Sequence, residues 1–205
     1  MARYLITQSL LHSWNYLYSC REEFQSSAAE DFMATIHREK QQDRKEKNDG
    51  IEFENAVYQE VSDIQRDPHP KWEDGIQAIA KIIHGASVQL RVQRDLRVCE
   101  TDFLVYGILD ALKAGVIYDV KYKRSPFSSS DPVGDYLDSP QHPAYFYMVP
   151  EAYEFQYLVS DGKDLYRETY RRSETPAIEG IIAEFMRSIT AMGLLPIYQE
   201  KWLAR

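Results

Sequence analysis

The sequence predicts one α/β domain in which helices flank a central mixed sheet. The first observation is that apolar residues recur at helical spacing through the opening part of the chain. The second is a change at Ser87, after which apolar and polar residues alternate as they do in strands. The third is that no linker and no internal repeat divides the 205 residues. We therefore expect a single domain over 1–205, with an N-terminal helical portion over about 1–85.

The helices are expected from apolar stripes and from the residues that start or stop a helix. Thr7 is placed to cap the first helix. Asn48, Asp49 and Gly50 are expected to interrupt the helical conformation before the third helix begins. The charged run 37–47 is interpreted as a solvated helix end or a mobile arm rather than a DNA-contacting arm. The expected helices cover about 7–18, 28–36, 51–64, 72–83, 140–149 and 176–192.

Strands are expected where short apolar runs lie between turn residues. Ala114 and Gly115 are expected to form a tight turn between two of them, and a polar loop is expected over 123–140. The expected strands begin at 87 and then cover 103–109, 116–122, 155–159 and 165–170.

Composition excludes several classes of protein. With 44% hydrophobic, 27% charged and 13% aromatic residues, the chain has globular rather than disordered composition. No apolar run is long enough to span a membrane, and the N-terminus turns polar too soon for a signal peptide. The two cysteines, Cys20 and Cys99, lack CxxC spacing, so we expect neither a disulfide nor structural zinc, and a cytoplasmic protein with reduced thiols.

The net charge of −8 argues mildly against nucleic acid as a partner, because phosphate-binding proteins usually present a basic face. A nuclease site, however, holds carboxylates on purpose, and a divalent ion offsets them locally. The charge therefore does not exclude a nuclease.

One hairpin carries the clearest chemical pattern. If its turn is two residues long, Asp110 lies directly opposite Asp119, with the Cβ atoms about 4.5–5.5 Å apart on one face. Opposed carboxylates repel each other, and a bound Mg²⁺ or Mn²⁺ would offset that repulsion. Lys121 shares the face of Asp119, where an ammonium can orient water or stabilise charge on a phosphate. On spacing alone, an ordinary ion pair on an exposed sheet face explains this triplet better.

Four ordered motifs connect this hairpin with the rest of the chain. They are the stretch from Thr7-Gln-Ser to Tyr18-Ser-Cys20, Gly50-Ile-Glu-Phe-Glu54, Gly107-Ile-Leu-Asp110 with Asp119-Val-Lys121, and Gln141-His-Pro-Ala-Tyr145. In this order they resemble the motifs of the RecB-like branch of the PD-(D/E)XK nucleases, which includes recombination exonucleases and CRISPR-associated exonucleases. Each motif alone is weak, and their order and separations make the resemblance specific.

The resemblance implies a restriction-endonuclease-like core and a Mg²⁺- or Mn²⁺-dependent deoxyribonuclease. It implies that Glu54, Asp110, Asp119 and the Val120 carbonyl bind the metal and that Lys121 activates water. DNA, as ends or a single strand, is the implied partner, and family analogy favours an exonuclease.

The resemblance also implies that Gln141 and Tyr145, which share one helix face, bind substrate or support the lysine. His142 is interpreted as a loop or phosphate contact rather than a catalytic base. Glu54 stands where the branch has histidine, and Asp119 where glutamate is common, so metal preference stays open. Cysteines near the C-terminus are missing, so we expect no iron–sulfur cluster, and without a GxxxxGK[ST] loop we expect no ATP motor.

Two other functions remain open. The first is a non-catalytic nucleic-acid-binding subunit that retains the nuclease fold, and the second is another metal-dependent hydrolase or a structural protein with an ion-paired hairpin. A homo-oligomer or a recombination or replication partner protein is possible under any of them. Tyrosines such as Tyr16 and Tyr18 fall where a single strand could pass, but tyrosine is a common packing residue and we assign no stacking role.

Overall fold

The computed structural model describes residues 2–39, 45–124, 134 and 136–204. Thr7 caps the first helix as expected, because its Oγ1 accepts a hydrogen bond of 3.2 Å from the backbone N–H of Leu10. Most of the expected polar loop over 123–140 lies outside the described residues. Within the described part, the α-helices are α1 (Gln8–Ser19), α2 (Gln25–Ile36), α3 (Lys45–Val61), α4 (Glu73–Ile83), α5 (Gln141–Met148), α6 (Ile178–Ala191) and α7 (Leu195–Lys201).

In the described part of the chain, the strands form one mixed sheet. They are β1 (Arg3–Thr7), β2 (Ser87–Val98), β3 (Thr101–Lys113), β4 (Val116–Tyr122), β5 (Glu154–Ser160) and β6 (Leu165–Arg171). The order is β1-β3-β4-β5-β6, with β2 also paired to β3; β1 is parallel to β3, β4 is parallel to β5, and the other pairs are antiparallel. The expected α/β class, with a central mixed sheet flanked by helices, is confirmed.

The strand β1 and the α-helix α7 were not expected from the sequence. β1 pairs along β3, so the N-terminal portion is not wholly helical. The α7 helix follows α6, and the segment after it returns to the first strand, where Leu203 bridges Tyr4. Both elements are short and are held by distant partners, which is why local periodicity does not reveal them.

The expected helix break at Asn48, Asp49 and Gly50 is wrong, because α3 runs through all three residues. A glycine inside a helix costs about 1 kcal/mol relative to alanine. Phe53 and Val57 of the same helix are fully buried, and burial of each such side chain contributes about 1.5–3 kcal/mol. Tertiary packing therefore outweighs the local signal. The charged run 37–47 partly enters the first turn of α3, and residues 40–44 lie outside the described residues.

The core consists of two clusters on the two sides of the sheet. The first cluster packs α1, α2, α5, α6 and α7 against the sheet, with Phe103, Leu109 and Ile117 among its strand residues. The second cluster packs α3 and α4 on the other side, against Ala111 and Val120 among others. The β3–β4 hairpin contributes to both clusters, to the first through Ile117 and to the second through Ala111 and Val120.

No single helix among the described residues is both long and apolar enough to cross a membrane. Within the described ranges, α6 and α7 taken together reach the required length and composition, but the two helices are bent by 117° relative to each other. The apolar side of α6, with Ile182, Phe185 and Ile189, is buried in the first cluster.

Candidate active site

The β3–β4 hairpin has the turn that the sequence predicts. Lys113 pairs with Val116, and both turn residues, Ala114 and Gly115, have positive φ values of 49° and 78°. Two positive φ values are typical of the turn that joins tightly paired strands. The pairing, however, ends after Ala111 and Tyr118, so the directly opposed pair of Asp110 and Asp119 expected from the register does not form as a ladder pair.

The sheet is open beside this point. A strand has two hydrogen-bonding edges, and β2 occupies one edge of β3 along almost its whole length. β1 and β4 therefore share the other edge, β1 along 102–106 and β4 along 111–113. In the described structure the segment 107–110 has no strand partner at that edge. Instead, the Ile108 carbonyl accepts a hydrogen bond of 2.6 Å from the Tyr145 hydroxyl.

At Asp110, the side chains of β3 change from one side of the sheet to the other. The register between the two strands omits the position at which Gln89 would pair with Asp110. Gln89 has a φ of 53°, in the left-handed region that non-glycine residues rarely adopt. Leu109 packs in the first cluster, whereas Ala111, two residues later, packs in the second. Asp110 thus lies where the strand turns from one side of the sheet to the other, and its carboxylate can approach groups on both sides.

The carboxylate of Asp110 joins the two separated strands. Its Oδ2 accepts a hydrogen bond of 2.8 Å from the backbone N–H of Val120, the residue after Asp119. Tyr58 of α3 places its buried hydroxyl beside Asp110 without a well-aligned hydrogen bond. Burial, and then the negative charge of Asp119, raise the pKa of Asp110 to about 7.

Asp119 and Lys121 form an ion pair in which the acid is buried. The Lys121 Nζ lies 2.6 Å from Asp119 Oδ2, and only 5% of the Asp119 side chain is exposed, against 32% of the Lys121 side chain. Burial alone would lower the pKa of Lys121, but the charges of Asp119 and Asp110 more than offset it, so the pKa is raised and the amine is an ammonium. The ion pair that spacing alone suggested is therefore real, but it does not lie on an exposed face.

Glu54 brings a third acid to the site from α3. Burial, and then the charge of Asp110, raise the pKa of Glu54 to about 7, while Lys121 acts in the opposite direction. The side chain is half-buried on the side of the sheet that α3 covers. The site thus combines carboxylates from both sides of the sheet with one ammonium.

Gln141 and Tyr145 lie in the interior rather than in solvent. The Gln141 Nε2 donates a short hydrogen bond to Asp119 Oδ1. Tyr145 holds the open edge of β3, and a Cβ built on Gly107 would lie 2.6 Å from its Cε1 atom. The glycine of the Gly107-to-Asp110 motif is therefore required by the close approach of Tyr145. Both residues contact the site's own framework, so the prediction that they bind substrate directly gains no support.

The interpretation of His142 as a loop or phosphate contact is wrong. Only 2% of His142 is exposed on α5, its ring stacks on Tyr170 with centroids 4.2 Å apart, and its Nδ1 lies 3.2 Å from the Tyr157 hydroxyl. Burial lowers its pKa to about 4. The imidazole is a neutral packing group, as a buried histidine without an acidic partner is expected to be.

The sequence reasoning missed His12 as a site residue. It lies on α1, and its pKa is lowered first by burial of part of the ring and then by the positive charge of Lys121, while Asp119 acts in the opposite direction. His12 falls inside the first of the four motifs. Its i and i+4 relation to Tyr16 was the available signal, but helical spacing by itself does not reveal a site on another element.

The donor set is compatible with a divalent metal ion but does not form a complete cage. In the part of the chain that is described, no three His, Cys, Asp or Glu side chains converge closely enough to hold a metal ion by themselves. Mg²⁺ typically takes one or two carboxylates and keeps several waters, so two strand carboxylates are enough. Oδ2 of Asp119 is buried and makes no well-aligned hydrogen bond apart from its ion pair with Lys121, which leaves an oxygen able to serve as a ligand.

Comparisons with known proteins found similarity among solved structures. No protein-family model and no curated protein matches the chain. Among solved structures, it is similar to SSO0001, with a TM-score of 0.55 and 12% identity over 93% of this chain and 78% of that one. It is also similar to the alkaline exonuclease LHK-Exo from Laribacter hongkongensis, with a TM-score of 0.47 and 11% identity over 92% of this chain and 91% of that one. LHK-Exo in complex with dAMP gives a TM-score of 0.49 and 11% identity over 91% and 90%.

At these identities the likeness concerns the fold alone. The described residues have a central mixed sheet flanked by helices, and the likeness to SSO0001 extends over this arrangement. A fold by itself does not determine function.

Proposed function

We propose that this protein is a metal-dependent DNA nuclease that hydrolyses phosphodiester bonds and acts as an exonuclease. The observation that carries the proposal is the convergence of Asp110, Asp119 and Lys121 where β3 and β4 separate. A structural ion pair needs only one acid. The additional burial of Asp110 and Glu54, each with a pKa raised to about 7, costs stability and is typical of a functional site.

The proposal assigns metal binding to the carboxylates of the site and activation of water to Lys121. Asp110 and Asp119 would hold the metal, and the Val120 carbonyl and Glu54 would serve as further ligands, Glu54 directly or through water. When bound, the ion would lower the pKa of a coordinated water and polarise a phosphoryl oxygen. Lys121, an ammonium, donates hydrogen bonds to the attacking water or to the phosphate oxygens on which negative charge develops.

Gln141 and Tyr145 act as positioning residues. Gln141 fixes the orientation of Asp119 through its amide N–H, and Tyr145 keeps the open edge of β3 in place beside Asp110. Ligating carboxylates generally need such outer partners. Both positioning residues belong to α5, so one helix supports the carboxylates of Asp110 and Asp119.

One observation favours a second candidate, a nucleic-acid-binding subunit that retains the fold without cutting. The ammonium of Lys121 already neutralises Asp119, and no three potential ligands converge in the described ranges. Such a protein would bind DNA with equal affinity whether or not Mg²⁺ is present. A cytoplasmic location, and a homo-oligomer or a recombination or replication partner, remain predictions under both candidates.

A cleavage assay separates the two candidates. Purified protein is incubated with linear, circular and single-stranded DNA, with Mg²⁺, with Mn²⁺ or with chelator. We expect linear DNA to be degraded only with metal, and Lys121→Ala and Asp110→Asn to abolish degradation while circular dichroism shows a folded protein. Binding without degradation in all conditions would instead support the second candidate, and cleavage unaffected by Lys121→Ala would end the nuclease proposal at this site.

A further inference from the structure

One face of α1 carries two parallel rings. His12 and Tyr16 are four residues apart, and their ring centroids lie 6.4 Å apart with only 15° between the planes. His12 is exposed, and 39% of Tyr16 is exposed. The opposite side of the helix, with Leu10 and Trp14, is buried in the first cluster. Two near-parallel aromatic rings thus lie together on the solvent side of α1, and we call this pair of rings the α1 platform.

The α1 platform starts at the candidate active site. The helix begins after Thr7, the last residue of β1 to pair with β3, directly before the open segment 107–110. His12 lies within the electrostatic reach of Lys121 and Asp119. Tyr16 lies one helical turn further from them, at about 6 Å along the axis. The platform therefore leads away from the reacting groups in a fixed direction.

The helix that carries the platform is held firmly in place. The Asn15 side chain donates a hydrogen bond of 3.1 Å to the backbone carbonyl of Asp138, just before α5. Trp14 packs edge to face on Phe185 of α6, with centroids 5.8 Å apart. The helix backbone that positions the two rings is therefore already ordered before a ligand binds, which lowers the entropy cost of binding.

The charge of the chain favours stacking over phosphate attraction as the source of affinity. With a net charge of −8, the protein as a whole repels nucleic acid. Base stacking on aromatic side chains does not need a basic surface and contributes about 1–3 kcal/mol per base. Bases are accessible for stacking in a single strand, whereas in a duplex they already stack on each other.

We propose that the α1 platform stacks against the bases of single-stranded DNA next to the phosphate that is cut, so that the substrate is a single strand or a frayed end rather than an intact duplex. The inference rests on the nuclease function proposed above and adds to it the surface of the protein that selects a single strand. Tyr16 is a binding residue in this account, and it does not take part in the chemical step.

The chain offers a matched control on the same helix. Tyr18 is another tyrosine of α1, more exposed than Tyr16 at 59%, and two residues further along. Two residues correspond to about 200° around a helix, so Tyr18 faces away from the platform. Tyr16→Ala and Tyr18→Ala therefore remove the same side chain from opposite sides of one element.

Binding is measured by fluorescence anisotropy with a labelled oligothymidine and with a labelled blunt hairpin duplex, with Ca²⁺ replacing Mg²⁺ and the integrity of the DNA checked on a gel. We expect Tyr16→Ala to weaken binding of the single strand by about fivefold or more. Tyr16→Phe should retain wild-type affinity because it keeps the ring, and Tyr18→Ala should leave it unchanged. If Tyr16→Ala unfolds, Tyr16→Leu replaces it in the binding measurement. Leucine keeps an apolar contact but has no ring, so it should also weaken binding of the single strand.

Cleavage kinetics give an independent readout with Mg²⁺. Tyr16→Ala should raise KM for the single strand by about the same factor as Kd, with kcat retained, because the ring contacts only bound substrate. Equal affinity of Tyr16→Ala and wild type for the single strand, equal losses in Tyr16→Ala and Tyr18→Ala, or equal losses for single strand and duplex would each overturn the inference. Absence of cleavage in the wild type, with Tyr16-dependent binding retained, would instead remove the nuclease proposal and leave the platform as a binding site.

Discussion

Replacement of Asp110 by asparagine should stabilise the metal-free protein while it removes the activity. The pKa of Asp110 rises from 3.8 to about 7 on folding, because the carboxyl is buried and lies near Asp119. A carboxyl whose pKa is raised in the folded state binds its proton more tightly there than in the unfolded chain. The free energy of unfolding therefore falls as the pH rises from about 4 to about 7, and the loss persists above that pH.

The magnitude follows from the difference of roughly three pH units. At about 1.4 kcal/mol per unit, the ionised Asp110 costs at most about 4 kcal/mol of stability at pH 8. At pH 5 the cost is smaller by roughly 2–3 kcal/mol, because the folded-state carboxyl is then protonated. Asparagine removes the charge and keeps an oxygen that can accept the hydrogen bond of the Val120 N–H. The difference in free energy of unfolding between Asp110→Asn and the wild type should therefore depend on pH. After allowance for relaxation of the site, we expect this difference to be about 1–3 kcal/mol more favourable to the variant at pH 8 than at pH 5.

Urea denaturation in the presence of chelator, at pH 5 and at pH 8, measures this difference. Asp102→Asn is a suitable control, because Asp102 lies on the same strand but far from the site, in an ion pair with Arg97 at 3.7 Å. An Asp110→Asn variant that is destabilised equally at both pH values would refute the reasoning, since it would mean that Asp110 is not held in an unfavourable charged state. A gain in stability together with a loss of cleavage would show the trade-off that is common at functional sites.

The remaining predictions concern metal and the support of the site. Mg²⁺ or Mn²⁺ should raise the melting temperature of the wild type at pH 8 but not that of Asp110→Asn, which calorimetry with and without chelator would measure; an equal shift in both would place the metal elsewhere. Gln141→Leu removes the N–H donor from the buried Asp119 and should cost about 1.5–3 kcal/mol together with most of the activity, as measured by urea denaturation and cleavage rate, whereas unchanged activity would contradict its positioning role. Gly107→Ala should cost about 1–3 kcal/mol because the new methyl group meets the Tyr145 ring, and a double-mutant cycle with Tyr145→Leu should show non-additive losses; additive losses would contradict the contact.

The hairpin shows how far sequence reasoning reached. The two-residue turn, the register that begins at Lys113 and Val116, and the shared face of Asp119 and Lys121 follow from turn chemistry and from the period of a strand. The end of the ladder before Asp110 does not follow from them. The ladder ends because β3 loses its regular pairing with β2 opposite Gln89 and because β4 pairs along β5 beyond this point. Both are properties of the whole sheet.

Among the helices, those with a clear apolar stripe were predicted from the sequence, whereas features that depend on tertiary packing were not. The periodic stripe of α4 was predicted within one residue, because its apolar face carries its own signal. The uninterrupted path of α3 through Gly50 was not predicted, since packing on the sheet overrides a local preference of about 1 kcal/mol. Gln141 was expected to reach DNA or the lysine, and only the position of α5 against β4 made Asp119 its partner.

Local patterns along the chain are enough to predict the class of fold, the hairpin with its acids and lysine, and the helix that carries Gln141 and Tyr145, because each depends on residues near one another in sequence. Long-range packing sets which acids meet, how deeply they are buried and which groups support them. The pKa values of Asp110 and Glu54, and that of His12 near Lys121, depend on desolvation and on charges that distant elements bring together.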